Sequence, residues 1–169
     1  MSLSIVIPCK NEEKSIYKTY KTIKISIHKK IKKFEFIFVN DFSNDNTFKI
    51  LKNISSKDRN SKVVNNKIIG LGGAINEGIK KSKNKFVVIM MADLSDDPKD
   101  LIKYYEEISK YKYDAIFGSR FLNTSKLIDY PIKKLIYNRI FNNFVKLFFF
   151  SKYNDFTNAF KIYKKKNTC

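Results

Sequence analysis

Cysteine, histidine and arginine are scarce in this chain of 169 residues, and each scarcity removes a class of chemistry. The two cysteines, Cys9 inside the first apolar segment and Cys169 at the terminus, make no disulfide framework, so a reducing compartment is expected. The single histidine, His28, falls in a lysine-rich helical stretch and is expected at the surface. That sets aside a histidine-based metal centre and a Ser-His-Asp triad. No apolar run reaches the roughly 18 to 20 residues needed to cross a bilayer. The opening MSLSIVIP lacks the basic leader and small-residue cleavage site of a signal peptide. A soluble or peripheral cytoplasmic protein is expected. Arginine occurs only at Arg59, Arg120 and Arg139, so each is a position at which to look for planar, bidentate recognition of phosphate or carboxylate.

Lysine supplies the rest of the positive charge. With 34 Lys and Arg against 16 Asp and Glu, the net charge is +18, which suits contact with nucleic acid or an anionic membrane surface. The lysines are spread rather than gathered into an arm, and Ile and Asn are abundant too. That pattern reads equally well as a compositional habit of the source genome. The length is right for a single domain over 1–169 with a core of its own.

The spacing of apolar residues changes period along the chain. Short apolar runs at Ser4–Pro8, Phe34–Val39, Lys62–Val64, Phe86–Met91 and Ala115–Phe117 read as strands. Helical spacing covers 11–30, 44–57, 73–81 and 101–111, with Asn11 or Ser15 available to cap the first of these. Strands alternating with helices predict an α/β fold, a mostly parallel sheet with helices on both faces. Past Gly118 the rhythm breaks. Residues 131–150, PIKKLIYNRIFNNFVKLFFF, carry Ile136, Ile140, Phe141, Phe144, Val145, Phe148 and Phe149 along one stripe, with Asn138, Arg139, Asn142, Asn143 and Lys146 mostly opposite. This predicts a C-terminal amphipathic helix that either packs on a core or lies in a membrane interface.

The segment FVVIMMADLSDDP is the most informative. A buried-looking strand stops at three carboxylates, Asp93, Asp96 and Asp97, where open α/β sheets place their ligands. Hard divalent cations take carboxylate, phosphate and water oxygens, so a cation held between these acids and an anionic substrate such as a nucleotide diphosphate is expected. The same acids also suit the cap of the following helix, which starts at Pro98. Asn11 and Glu12, Asp41, and Gly70 to Gly73 likewise follow strands, and a parallel sheet gathers such positions along one edge. The stretch GLGGAINEG fails as a dinucleotide fingerprint. Ile75 stands where the third glycine belongs, and the stretch follows the third strand rather than the first.

Taken together and in order, IVIPCKNEE, VNDFSNDNT, GLGGAINEG, IMMADLSDDP, FGSRF and DFTNAFKIYKK resemble the family 2 glycosyltransferases. They are most similar to the dolichyl-phosphate or polyprenyl-phosphate mannosyltransferase group, whose fold is GT-A. The resemblance implies a nucleotide pocket lined by Pro8, Asn11, Glu12, Asp41, Gly72 and Asp93. It also implies Mg²⁺ or Mn²⁺ on Asp93 with Asp96, Asp97 or water, because Met91 replaces the first acid of the usual D-x-D. Arg120 is expected against the diphosphate or the acceptor phosphate, Arg139 at the acceptor and membrane, and Asp155, Thr157 and Asn158 over the sugar and acceptor. Relatives continue past the position of Cys169, so the chain is expected to be C-terminally short.

The function implied is inverting transfer of a hexose from GDP-mannose or a UDP-hexose to a polyprenyl or dolichyl phosphate, with Asp93, Arg120 and Asp155 as the catalytic set. The enzyme would sit peripherally at the cytoplasmic face of an anionic membrane and bind no nucleic acid. A phosphate acceptor, whose second pKa is about 6, needs no strong general base. Transfer to a saccharide hydroxyl, as in cell-envelope polysaccharide synthesis, needs one, and Asp155 is the candidate. A basic RNA-binding domain with exposed aromatics, or an inactive membrane-associated domain, are the alternatives of another class.

Overall fold

The first strands are rich in Ile, Val and Phe, side chains that suit a pleated surface buried on both faces. In the computed structural model, which describes residues 2–122 and 131–165, they build one six-stranded sheet. Its strands are β1 (Ser2–Cys9), β2 (Lys33–Asn40), β3 (Ser61–Asn65), β4 (Phe86–Ile89), β5 (Ala115–Phe117) and β6 (Lys161–Lys164), in the order β3-β2-β1-β4-β6-β5. β1 pairs in parallel with β2 and β4, and β2 with β3. β6 runs antiparallel to β4, with Val88 opposite Ile162. Cys169 lies outside the described residues.

The helices are α1 (Ile16–His28), α2 (Thr47–Lys57), α3 (Leu71–Lys81), α4 (Pro98–Lys110) and α5 (Ile132–Phe148). Alternation along the strands sends successive side chains to opposite faces. Leu3, Ile5 and Ile7 of β1 and Phe34, Phe36 and Phe38 of β2 pack with Ile16, Ile23 and Ile27 of α1, Leu51 of α2 and Leu101 of α4. Val6, Ile37, Val39 and Val87 form a smaller cluster with Ala74 of α3 on the other face. α3 approaches the sheet so closely that a Cβ on Gly78 would lie 2.2 Å from Val6 Cγ1.

The chain divides into two compact units: residues 2–116 with 160–165, and residues 117–122 with 131–159. The sheet, apart from Phe117 at the end of β5, and α1 to α4 belong to the first unit, and α5 to the second.

Several boundaries differ from those expected. β1 runs through Pro8 to Cys9, because the β4 ladder stops at Val6 and Pro8 pairs only with Val39 of β2. α1 begins at Ile16 rather than near Asn11, and α2 at Thr47 rather than Asn44, since residues 11–13 and 43–47 bond to each other as loops. β6 is a strand that the apolar spacing does not predict, though KIYK alternates and buries Ile162.

Candidate active site at the carboxyl edge of the sheet

β1, β2 and β4 end on the same edge, and the loops that follow them carry most of the polar residues expected at a site. The loop after β1 is laced to the loop after β2. Asn11 takes φ +56°, a left-handed conformation that asparagine tolerates better than most residues. Its amide donates to Ser43 Oγ (3.1 Å), and its Oδ1 accepts from the Asn44 amide (2.8 Å). The Glu12 amide donates to Thr47 Oγ1 (2.7 Å), and the Glu13 amide to Asp45 Oδ2 (3.1 Å). The Glu12 carboxylate accepts from the Ser15 hydroxyl. Asn11 and Glu12 therefore help to build the rim itself, while Pro8 is buried within β1.

Asp41 anchors the next loop in a similar way. Its buried carboxylate accepts from Asn66 Nδ2 (2.6 Å) and from the Gly70 amide (3.0 Å and 3.1 Å), pinning the loop after β3. Gly70 stands at φ +111°, where an L side chain would be strained, and a Cβ on Gly73 would meet the Ile68 carbonyl oxygen at 2.0 Å. Gly72 has no atom within 4 Å of its Cβ position, so it faces open space. The α3 N-terminus follows with no side-chain cap, leaving its amides as a positive helix end beside this loop.

The turn after β4 holds the three expected metal acids, and they divide their work. Asp93 is exposed, and its Oδ1 accepts from the Ser95 amide (2.9 Å) across a turn that carries Leu94 at φ +62°. Asp96 Oδ2 accepts from the Met91 amide (2.8 Å), closing the turn. Asp97 Oδ1 accepts from the Lys99 amide (2.8 Å) and caps α4. Among the described residues no three His, Cys, Asp or Glu side chains are grouped to hold a metal ion. All three carboxylates thus accept from backbone amides: Asp96 closes the turn, Asp97 caps α4, and Asp93 presents an exposed carboxylate beside them. Thr19 of α1, which the sequence did not single out, donates from Oγ1 to the Ala92 carbonyl (2.6 Å) and fixes the base of this turn.

In the second unit Arg120 is locked rather than extended. Its amide and Nε both donate to Asp155 Oδ2 (2.9 Å each), and its Nη2 donates to Asp155 Oδ1 and Thr157 Oγ1 (2.8 and 2.7 Å). Burial alone would raise the Asp155 pKa, but the Arg120 guanidinium and amide outweigh it and hold the carboxyl below the usual range. Asn158 donates its amide to Asp155 Oδ1 (3.2 Å) and Nδ2 to the Gly118 carbonyl (3.0 Å). The Arg120 and Arg139 guanidiniums lie 5.5 and 5.3 Å from the centre of one ring, Phe121, the last residue of FGSRF, to which the resemblance assigns no role.

The family model for Glycosyl transferase family 2 matches residues 4–168, nearly all of the chain. The chain belongs to glycosyl transferase family 2. The Bacillus subtilis glycosyltransferase YkcC is 32% identical over 69% of this chain and 36% of its own length. Glucosyl-3-phosphoglycerate synthase from Mycobacterium tuberculosis, solved with Mn²⁺, UDP and phosphoglyceric acid, superposes with a TM-score of 0.69 at 13% identity, over 96% of this chain and 55% of that one. The mannosyltransferase PcManGT from Pyrobaculum calidifontis, solved with GDP-Man and Mn²⁺, gives a TM-score of 0.58 at 20% identity, over 67% and 34%. The fold is that of GT-A glycosyltransferases. The chain spans from 27% to 53% of the length of three curated relatives that it matches.

Proposed function

We propose that this chain is the nucleotide-sugar-binding catalytic part of an inverting glycosyltransferase. It moves a hexose from GDP-mannose or a UDP-hexose to a polyprenyl or dolichyl phosphate at the cytoplasmic face of a membrane. The observation that carries this reading is Asp93: an exposed carboxylate, fixed by its turn, on the sheet edge where α/β folds bind nucleotides. Among the described residues nothing engages its second oxygen, so it fits Mg²⁺ or Mn²⁺ as a single hard donor. Such a cation, completed by diphosphate oxygens and water, would neutralise charge on the leaving group. The solved relatives that carry Mn²⁺ with UDP or GDP-Man support the same choice.

In the reaction an acceptor oxygen bonds to the anomeric carbon from the face opposite the leaving group. The bond from that carbon to the diphosphate breaks, and its electron pair leaves with the nucleotide. The rim residues Asn11, Glu12 and Asp41, with Pro8 and Gly72 on the same edge, shape the pocket and orient the donor. The bonds of Asn11 to Asn44 and of Asp41 to Asn66 keep it preorganised.

The second unit favours a phosphate acceptor. Asp155 is buried, ion-paired and held ionised by Arg120, so it is badly suited to take a proton from a sugar hydroxyl. A phosphate monoester needs no such base. Arg120 and Arg139, gathered on Phe121, together with Thr157 and Asn158, offer it cationic and polar contacts. Of the first unit's aromatics, Phe34, Phe36, Phe38 and Phe86 are core residues closed to base stacking, while Tyr17, Phe42, Tyr111 and Tyr113 are exposed, so the RNA-binding alternative keeps only the latter.

Calorimetric titration of GDP-mannose and UDP-glucose, with and without Mn²⁺, tests the reading. We expect metal-dependent binding of one of them and a loss of at least roughly tenfold in Asp93→Ala, a change that removes the charge-bearing donor. Binding of equal strength without metal, or indifferent to Asp93, overturns it.

A further inference from the structure

α1 and α2 lie side by side on one face of the sheet, and neither carries an acid. Residues 14–34 hold eight lysines and no Asp or Glu, and residues 46–57 hold three lysines and again no acid. A lysine-rich composition raises cations everywhere, yet α4 keeps Asp100, Glu106 and Glu107 among its lysines. The missing acid is therefore a property of this helix pair.

Between the two helices runs a groove of about 310 Å³. Buried Tyr20 and Ile54 form its floor, and Tyr17, Lys21 and Ile25, one turn apart along α1, form one wall. Ile25 is 74% exposed and Tyr17 48%, so apolar surface continues from the floor to the rim. Lys24 is committed, because its Nζ donates to Asp58 Oδ2 (3.0 Å) and to Tyr20 Oη (2.9 Å). Lys21 and Lys57, on facing sides, have no ion-pair partner among the described residues. None of Asn11, Glu12, Asp41 or Asp93 lines the groove, which is thus separate from the loops at the carboxyl edge of the sheet.

The chemistry of the groove selects its occupant. A bilayer is entered by side chains that project from a protein, whereas this is a concavity. A nucleic acid offers phosphates to the lysines but nothing to an apolar floor, and the Tyr17 ring, where a base would stack, already has the Lys21 ammonium 5.0 Å from its centre. A second copy of the helix pair brings only more cations. A polypeptide with Leu or Phe beside Asp or Glu at helical spacing supplies both an apolar anchor and carboxylates, the pattern of a helix laid into a groove with a polar rim.

We propose that the α1–α2 groove docks an acidic amphipathic segment of a partner protein, with its apolar side chain on Tyr20 and Ile54 and its carboxylates on Lys21 and Lys57. This goes beyond the transferase reading and does not depend on it. The test is fluorescence anisotropy of a labelled, glutamate-rich synthetic peptide carrying leucine and phenylalanine at helical spacing, titrated with the full chain. Salt of about 0.15 M screens long-range attraction to the +18 charge. Binding should saturate, and Lys21→Glu and Ile25→Glu should each weaken it by roughly fivefold or more. Lys81→Glu, the same charge change on α3 at the other face of the sheet, should weaken it by less than about twofold. All three side chains are exposed, so unchanged unfolding transitions will confirm that the variants fold, and either groove variant decides by itself. Absence of saturable binding overturns the proposal, and so does an equal loss in Lys81→Glu, which would reduce the effect to net charge. Displacement of the peptide by UDP or GDP overturns it by moving the peptide to the carboxyl edge. An RNA oligonucleotide or a phosphatidylglycerol vesicle that binds the parent as tightly, and is weakened by the same two variants, would give the groove to that ligand instead.

Discussion

Asp58 illustrates how a single buried carboxylate is stabilised in this fold. It sits after α2, 8% exposed, and accepts from Tyr20 Oη (2.8 Å), Lys24 Nζ (3.0 Å), Ser61 Oγ (2.9 Å) and the Asn60 amide (3.0 Å). Burial would raise its pKa, but the Lys24 ammonium and the other donors outweigh that and lower it. A carboxyl whose folded pKa is depressed stabilises the native state above its unfolded value of about 3.9, and that contribution is lost as pH falls through the folded value. Asp58→Asn should therefore destabilise the protein by about 1 to 3 kcal/mol at neutral pH. The gap between parent and variant in urea unfolding should close below about pH 4. A gap that stays constant down to acid would show that the charge contributes nothing. At this scale the sequence is informative about position more than about engagement. Asp41 and Asp93 fall at strand ends, as their spacing predicts, and Asp97 caps α4 as expected. Their partners, Asn66, Gly70 and Ser95, come from loop geometry that no local pattern encodes. The Arg120–Asp155 pair joins residues 35 apart in sequence, so neither FGSRF nor DFTNAF reveals it alone.

Among the elements, α3 shows how close packing fixes a residue. Gly78 lets the helix settle on Val6 and Val39, and Ala there would force backbone or valine to shift. Gly78→Ala should destabilise by about 1 to 3 kcal/mol through overpacking, read from denaturant midpoints, whereas Gly72→Ala, in open space, should do so by far less. Equal effects at the two positions would refute this account of the α3 seat. The strand and helix order of the first unit is legible because the switch from continuous apolar runs to helical spacing is strong there. α5 is legible as an amphipathic helix, but not in its orientation. Hydrophobic patterning says which residues share a side, and only the bonds of Asn142 say which side turns inward. β6 is not legible because four residues, two of them lysine, give too short an alternation to stand apart from the surrounding lysines.

For the molecule as a whole, an excess of 34 cationic over 16 acidic side chains makes self-repulsion a standing cost of compactness. Added salt screens that repulsion over about 10 Å at 0.1 M. The thermal midpoint should rise between about 0.01 M and about 0.3 M sodium chloride, and a fall would mean that ion pairs such as Lys24–Asp58 and Lys62–Glu35 outweigh the repulsion. Composition gives the sign of this charge but cannot say where it matters, since that depends on which lysines the fold brings together.

The order β3-β2-β1-β4-β6-β5 bears on how the protein is made. A ribosome delivers β4 and β5 well before β6, yet β6 lies between them. Until residues 161–164 emerge, β4 keeps a naked hydrogen-bonding edge and β5 lacks its neighbour in the sheet. The nascent polypeptide must therefore carry this open seam through the synthesis of the whole 118–160 stretch, the interval in which a chaperone has most to protect.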